Sequence, residues 1–221
     1  MERKISLDEI SDGKLYTLND MVKADCQDCK GCSACCRGMG KSIVLDPLDV
    51  FRIMSNLGLT FEQLLMDKVE LNIVDGIILP NLKMSQADEK CAFLSSEGRC
   101  SIHAFRPGIC RLFPLGRYYE NRSFSYFLQI HECKKENRSK VKVKKWIDTP
   151  DIKRNETFIA DWHYFLKDLQ KKIKESQDDS VAKTMNMYIL KQFYLSPYQV
   201  EENFYTQFDL RLEAAKSLLK K

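Results

Sequence analysis

Five cysteines fall within eleven residues, Cys26, Cys29, Cys32, Cys35 and Cys36, in the stretch CQDCKGCSACC. Thiolates this close together have two common uses, metal ligation and disulfide chemistry. A C-x2-C step lets two sulfurs grip one ion across a tight turn, and repeated steps can place four around a metal or cluster. The adjacent pair Cys35-Cys36 adds a constraint, because neighbouring side chains diverge. The pair suits two metals, or one bridging thiolate, better than a single tetrahedral zinc. Four more cysteines follow at Cys91, Cys100, Cys110 and Cys133. They lie too far apart for one local loop and must be gathered by the fold. With Cys26 set aside, eight remain: Cys29, Cys32, Cys35, Cys36, Cys91, Cys100, Cys110 and Cys133. That number suits two four-cysteine sites, or one iron–sulfur cluster plus one zinc. Soft sulfur donors also accept copper(I).

Other side chains near the cysteines carry weaker signals. His103 lies three residues after Cys100, and His131 two before Cys133. Either imidazole has a ligand-like spacing, though a packing or surface role is the ordinary reading. His163 sits beside Trp162 in a helical pattern and reads as structural or exposed. Arg37, Arg106 and Arg111 flank cysteines, where guanidinium groups can offset thiolate charge, bind an anionic substrate, or make ordinary ion pairs. The basic run KKENRSKVKVKK (134–145) has no interleaved aromatic residue. It reads as a solvated linker or helix face rather than a nucleic-acid surface. P-loop, dinucleotide-binding, zincin and nucleophile-elbow motifs are absent from the sequence. Catalytic and organic-cofactor residues therefore stay unassigned, and whether the chain is an enzyme stays open.

The bulk composition favours metal over disulfides. The 221 residues are 44% hydrophobic, enough for one good-sized core or a core with an appended subdomain. There is no membrane-spanning window and no apolar stretch behind the N-terminal MERKISLDEISDGK. The expectation is a cytoplasmic chain, where reducing conditions make nine cysteines metal ligands or redox groups. Basic and acidic side chains nearly balance, 35 against 31. Eight thiolates on two divalent ions would bring the formal +4 close to zero. The basic pI of 8.5 is thus a poor argument for nucleic acid.

Periodicity sets out the elements that must position these groups. Residues 1–25 are polar and read as a lead-in. KSIVL (41–45) is a strand candidate. Asp46-Pro47 reads as a helix start and Gly58 as its terminator, with Thr60 capping a short second helix. Hairpins are expected around Asp75-Gly76 and near Glu120-Asn121, with a turn at Glu97-Gly98. Beyond residue 150 cysteine disappears and apolar residues recur at three- and four-residue steps. Phe158, Trp162, Phe165, Phe193, Tyr194, Phe204 and Phe208 mark that region. They read mostly as core, with binding of a protein partner as the other use. Ser196-Pro197 is expected to open its last helix. The fold class is α+β: a lead-in (1–25), a cysteine-rich metal-binding domain of short strands and helices (26–135), and a helical region (150–221).

The joint pattern also resembles a known family. The segments Cys29-x2-Cys32-x2-Cys35-Cys36-Arg37, Gly98-Arg99-Cys100-Ser101-Ile102, and Arg106-Pro107-x2-Cys110-Arg111-x-Phe113-Pro114 resemble the YkgJ-like cysteine-cluster family. That family is also described as the CxxCxxCC zinc- or iron-chelating domain. The resemblance covers about half the chain and implies eight metal-binding cysteines. It leaves zinc or iron open, and an iron–sulfur cluster with them. Relatives include a flagellin lysine N-methylase type, so the resemblance also implies a cluster-containing methyltransferase as an alternative. A structural-zinc interaction module is the other one. Two departures stand out. Cys26 is extra to the motif, and His103 stands where the family pattern has an aromatic residue.

Overall fold

The computed structural model describes residues 6–27, 32–85, 87–135, 137–176 and 178–219. In chain order these form α1 (Leu7–Ile10), β1 (Ser11–Tyr16), β2 (Met21–Asp25), α2 (Pro47–Leu57), α3 (Phe61–Asp67), β3 (Val69–Val74), β4 (Ile77–Leu82), α4 (Gly108–Leu112), β5 (Leu115–Glu120), β6 (Ser123–Gln129), β7 (Ser139–Lys142), α5 (Val143–Ile147), α6 (Ile152–Ser176), α7 (Asp179–Leu190) and α8 (Phe204–Leu219). The chain is α+β, with short strands in small sheets and a long C-terminal helical region. It divides into two compact units, one of residues 1–43 and 84–160, the other of residues 44–83 and 161–221.

The first unit contains every described cysteine. Its sheet has the order β1-β6-β5, and β2 pairs separately with β7. The lead-in expected at 1–25 thus supplies two strands. Their polar surface hid them, since β1 shows one buried residue and β2 only two. Val22, Ala24, Leu112, Leu115, Tyr126, Leu128, Val143 and Ile147 make the core of this unit. The hairpin between β5 and β6 turns at Asn121-Arg122, both at positive φ (51° and 58°), inside the Glu120↔Ser123 pair. The basic run expected to be a solvated linker or helix face contributes β7 and the start of α5, and Val143 is fully buried.

The second unit follows its local signals closely. Asp46 caps α2 in a reciprocal capping box with Asp49, and Gly58 ends the helix at φ 64°. Thr60 and Gln63 form the same box on α3. The β3–β4 hairpin closes at Asp75-Gly76. Within 41–45 only Val44 makes a strand-like bridge, to Asn81. The last helix departs from expectation. It opens at Phe204 with Asn203 accepting from Thr206 N at 3.1 Å, not at Ser196-Pro197. Ser196 instead closes a π-helical turn (Lys191–Leu195). The Arg211 guanidinium donates to the carbonyls of Gln192, Ser196 and Pro197 at 2.7–2.8 Å. Carbonyls already taken by that side chain suit a turn rather than a new helix. Trp162, Phe165, Phe193, Tyr194, Phe204 and Phe208 are buried in this unit, and Phe158 in the first. These rings form interior packing.

Candidate metal centre

The two cysteine-bearing stretches of the first unit are joined through their main chains. The N–H of Cys91 donates to the carbonyl of Cys36 at 2.8 Å, and Gly38 N–H donates to Glu89 O at 2.9 Å. Arg37 and Lys90 form the antiparallel bridge between these bonds. Gly38 sits at φ 66°, a conformation that a side chain resists, so the chain turns away directly after the bridge. On its other side Cys91 bridges Met84.

Downstream, a tight loop brings Cys100 opposite Leu94. Gly98, at φ 74°, donates to Ser95 O at 3.0 Å, so the expected Glu97-Gly98 turn is present. Ser101 holds the loop closed with two bonds to Phe93 O, from N–H at 2.8 Å and from Oγ at 3.0 Å. Cys110 lies on α4, and Cys133 follows β6.

Electrostatics show which thiols share a neighbourhood. Cys35 is pushed well above the ordinary thiol range, first by its hydrogen bond with Cys36, then by burial and the nearby sulfurs of Cys36 and Cys26. Burial also raises Cys100, with Cys35 adding to the shift. The backbone of Ile102 and the charges of Arg106 and Arg99 oppose it. Cys26, Cys36 and Cys100 therefore each lie within electrostatic reach of Cys35, with Cys91 bonded to Cys36 by main chain. Cys91 and Cys26 are buried, while Cys32, Cys110 and Cys133 are half-buried. All eight described cysteines are thiols rather than half-cystines. Cys29 lies outside the described residues.

The described side chains do not close a coordination shell. Among them, no three of His, Cys, Asp and Glu converge closely enough to hold an ion. The donor chemistry nevertheless fits a soft cation, since the clustered groups are thiols with guanidinium charge beside them.

The flanking residues sort out differently. Arg106 lies with Nη1 2.8 Å and 2.6 Å from the two ring nitrogens of His103. That contact occupies the imidazole. His131 is exposed, and the His163 ring stands edge-on to Tyr164 at 5.1 Å. Arg37 reaches Asp88 at 4.0 Å on the surface. Arg111 is buried and donates to the carbonyls of Asp148, at 3.1 Å, and Ala104, tying α4 to its surroundings. Arg99, given no role of its own from sequence alone, proves to be the second cation beside Cys100. Its position in Gly98-Arg99-Cys100 was the available signal.

A family model for CxxCxxCC, described as a "putative zinc- or iron-chelating domain", matches residues 28–142, just over half of the chain. The chain belongs to the CxxCxxCC family. The match covers all eight cysteines expected as ligands and begins after Cys26. The family is described as chelating zinc or iron, which supports metal binding through the cysteine cluster of this domain. Comparison with curated proteins and with solved structures finds no match. No helix among the described residues is long and apolar enough to cross a membrane.

Proposed function

We propose that Cys29, Cys32, Cys35, Cys36, Cys91, Cys100, Cys110 and Cys133 are the thiolate ligands of this CxxCxxCC domain, 26–135, and that they hold zinc or iron as paired sites or one polynuclear centre. The Cys91 N–H···O=C Cys36 bond supports this reading most directly. It joins the first cysteine run to the second through main chain, independently of any sulfur contact. The Cys35 and Cys36 thiols lie close enough to hydrogen-bond to each other, which suits a bridging sulfur or a shared centre. Metal binding removes the thiol protons. The charge of Arg99 and Arg106 beside Cys100 then lowers the cost of gathering thiolates. A reducing, cytoplasmic setting keeps such thiols available.

Anaerobic purification, metal analysis and absorption spectroscopy test the proposal. An iron–sulfur centre gives visible charge-transfer bands and iron with acid-labile sulfide. A colourless protein with only stoichiometric zinc removes the iron–sulfur version. The ligand set is tested by Cys36→Ser, Cys91→Ser and Cys100→Ser. Each is expected to lose at least one equivalent of metal or to weaken binding about tenfold or more. Full metal retention in all three would overturn the assignment.

A further inference from the structure

A second site lies in the first unit, built by a row of side chains the metal reading does not use. Tyr16 pairs with Tyr126, and Tyr126 pairs with Arg117, across β1-β6-β5. Directly opposed residues of antiparallel strands point to the same face. Phe124 lies two residues before Tyr126 and shares that face. Its ring stands perpendicular to the Tyr126 ring, 5.3 Å away. Glu156 of α6 completes the group, accepting from Tyr126 Oη at 3.0 Å.

Between these groups is an open cavity of about 250 Å³, lined by Tyr16, Phe124, Tyr126, Glu156 and the loop 17–19. The Glu156 carboxylate makes no ion pair among the described residues, and Tyr126 is its one hydrogen-bond donor there. The neighbouring cations do not neutralise it by contact. Arg117, which lies over the Phe124 ring 5.5 Å from its centre, and Lys153 both act on Glu156 through charge alone. Two more carboxylates approach from the Tyr16 side. The Tyr16 hydroxyl donates to Asp12, and Asp20 accepts from Thr17 N and Oγ1 at 2.6 and 2.7 Å.

We propose that this cavity binds an aliphatic ammonium group, with Glu156 as its carboxylate partner and Tyr16, Phe124 and Tyr126 as its aromatic walls. Aromatic faces attract cations through the ring quadrupole, most strongly where water is displaced. A carboxylate at the end of such walls supplies the opposite charge. An anion would meet the Glu156 carboxylate, and a neutral apolar guest would bury that carboxylate with no cation in contact. The volume suits a group the size of a lysine side chain. That chemistry is shared by a free alkylamine and by a lysine on another protein.

Calorimetric titration of the metal-loaded full chain tests the site, with butylammonium, tetramethylammonium and the neutral control butanol as probes. Saturable binding of the ammonium probes, with butanol at least about tenfold weaker, is the expected result. Glu156→Gln keeps the acceptor for Tyr126 and should weaken ammonium binding about tenfold or more. Phe124→Leu should weaken it less, with butanol unaffected. Circular dichroism and metal content report whether each variant is folded. If Glu156→Gln fails to fold, the ammonium-against-butanol comparison on the unaltered chain and Phe124→Leu decide. No saturable ammonium binding, equal binding of butanol, or full affinity in folded Glu156→Gln would overturn the site. A lysine-containing peptide binding more tightly than butylammonium would assign the guest to a protein side chain. Equal affinities would assign it to a free amine.

Discussion

Between Cys26 and Gly40 the first unit buries little: of the described residues there, Cys26 alone is buried and 32–36 are half-buried. In the second unit Trp162 packs on Phe193 at 4.9 Å, and Phe193 on Phe208 at 5.8 Å, with Phe193 and Phe208 fully buried. One stretch relies on a few main-chain bonds and clustered thiols, the other on aromatic area removed from water. A loop with so little burial has little to offset the entropy of ordering it. Metal ligation is the interaction its sequence can supply. The contrast implies that the two units respond to different perturbations.

Metal removal is the largest expected effect. Binding free energies of structural zinc sites are on the order of 10 kcal/mol, and that energy is also folding energy. Chelation should abolish hydrogen-exchange protection around 32–40 and 91–112 while α7 and α8 keep theirs. Uniform loss across both units would break the contrast. Next comes Phe193→Ala, whose buried ring should cost about 3–5 kcal/mol in denaturant unfolding of the second unit. Metal stoichiometry should not change. A cost below about 1 kcal/mol would mean the aromatic cluster is not what stabilises that unit.

Asn186→Ala should cost about 2 kcal/mol. Asn186 accepts from Ile78 N at 2.6 Å and donates to Gly76 O at 3.2 Å, holding the β3–β4 turn to α7. Its removal strands main-chain groups, and Asn186→Asp should lose at least as much, because it sets a buried carboxylate oxygen against the Gly76 and Ala182 carbonyls. The smallest effect is a pH dependence in the first unit. Burial raises the Glu156 carboxyl above its ordinary range, against the opposing effects of Tyr126, Arg117 and Lys153. The folded chain therefore holds that proton more tightly than the unfolded chain. Its contribution to stability is complete below the ordinary carboxylate range and fades as pH rises through the elevated folded value. Urea midpoints between about pH 4 and 7 should show this slope, and Glu156→Gln should flatten it. A saturating ammonium guest should also reduce it.

Much of the second unit was legible because its signals are local. Asp46, Pro47, Gly58 and Thr60 act on main-chain groups three or four residues away, so their meaning is carried by spacing. Ser196-Pro197 failed as a helix start because Arg211, fifteen residues from Ser196, captures the carbonyls there. The strands at 11–16 and 21–25 were missed for a related reason. Their pairing partners lie more than a hundred residues away in β6 and β7, and their outer faces are polar.

By itself, the sequence determined the chemistry of the cysteine cluster. Sulfur is soft whatever the fold, and C-x2-C spacing fixes how near two thiolates can come. It also determined the caps at Asp46, Gly58 and Thr60, the Asp75-Gly76 turn and the apolar periodicity of the helices. Tertiary structure alone decided that Cys36 faces Cys91 through main chain, that Arg99 joins Arg106 beside Cys100, and that Tyr16, Tyr126 and Arg117 form one row under Glu156. Those juxtapositions depend on strand register and loop closure between distant segments, and no local spacing encodes them.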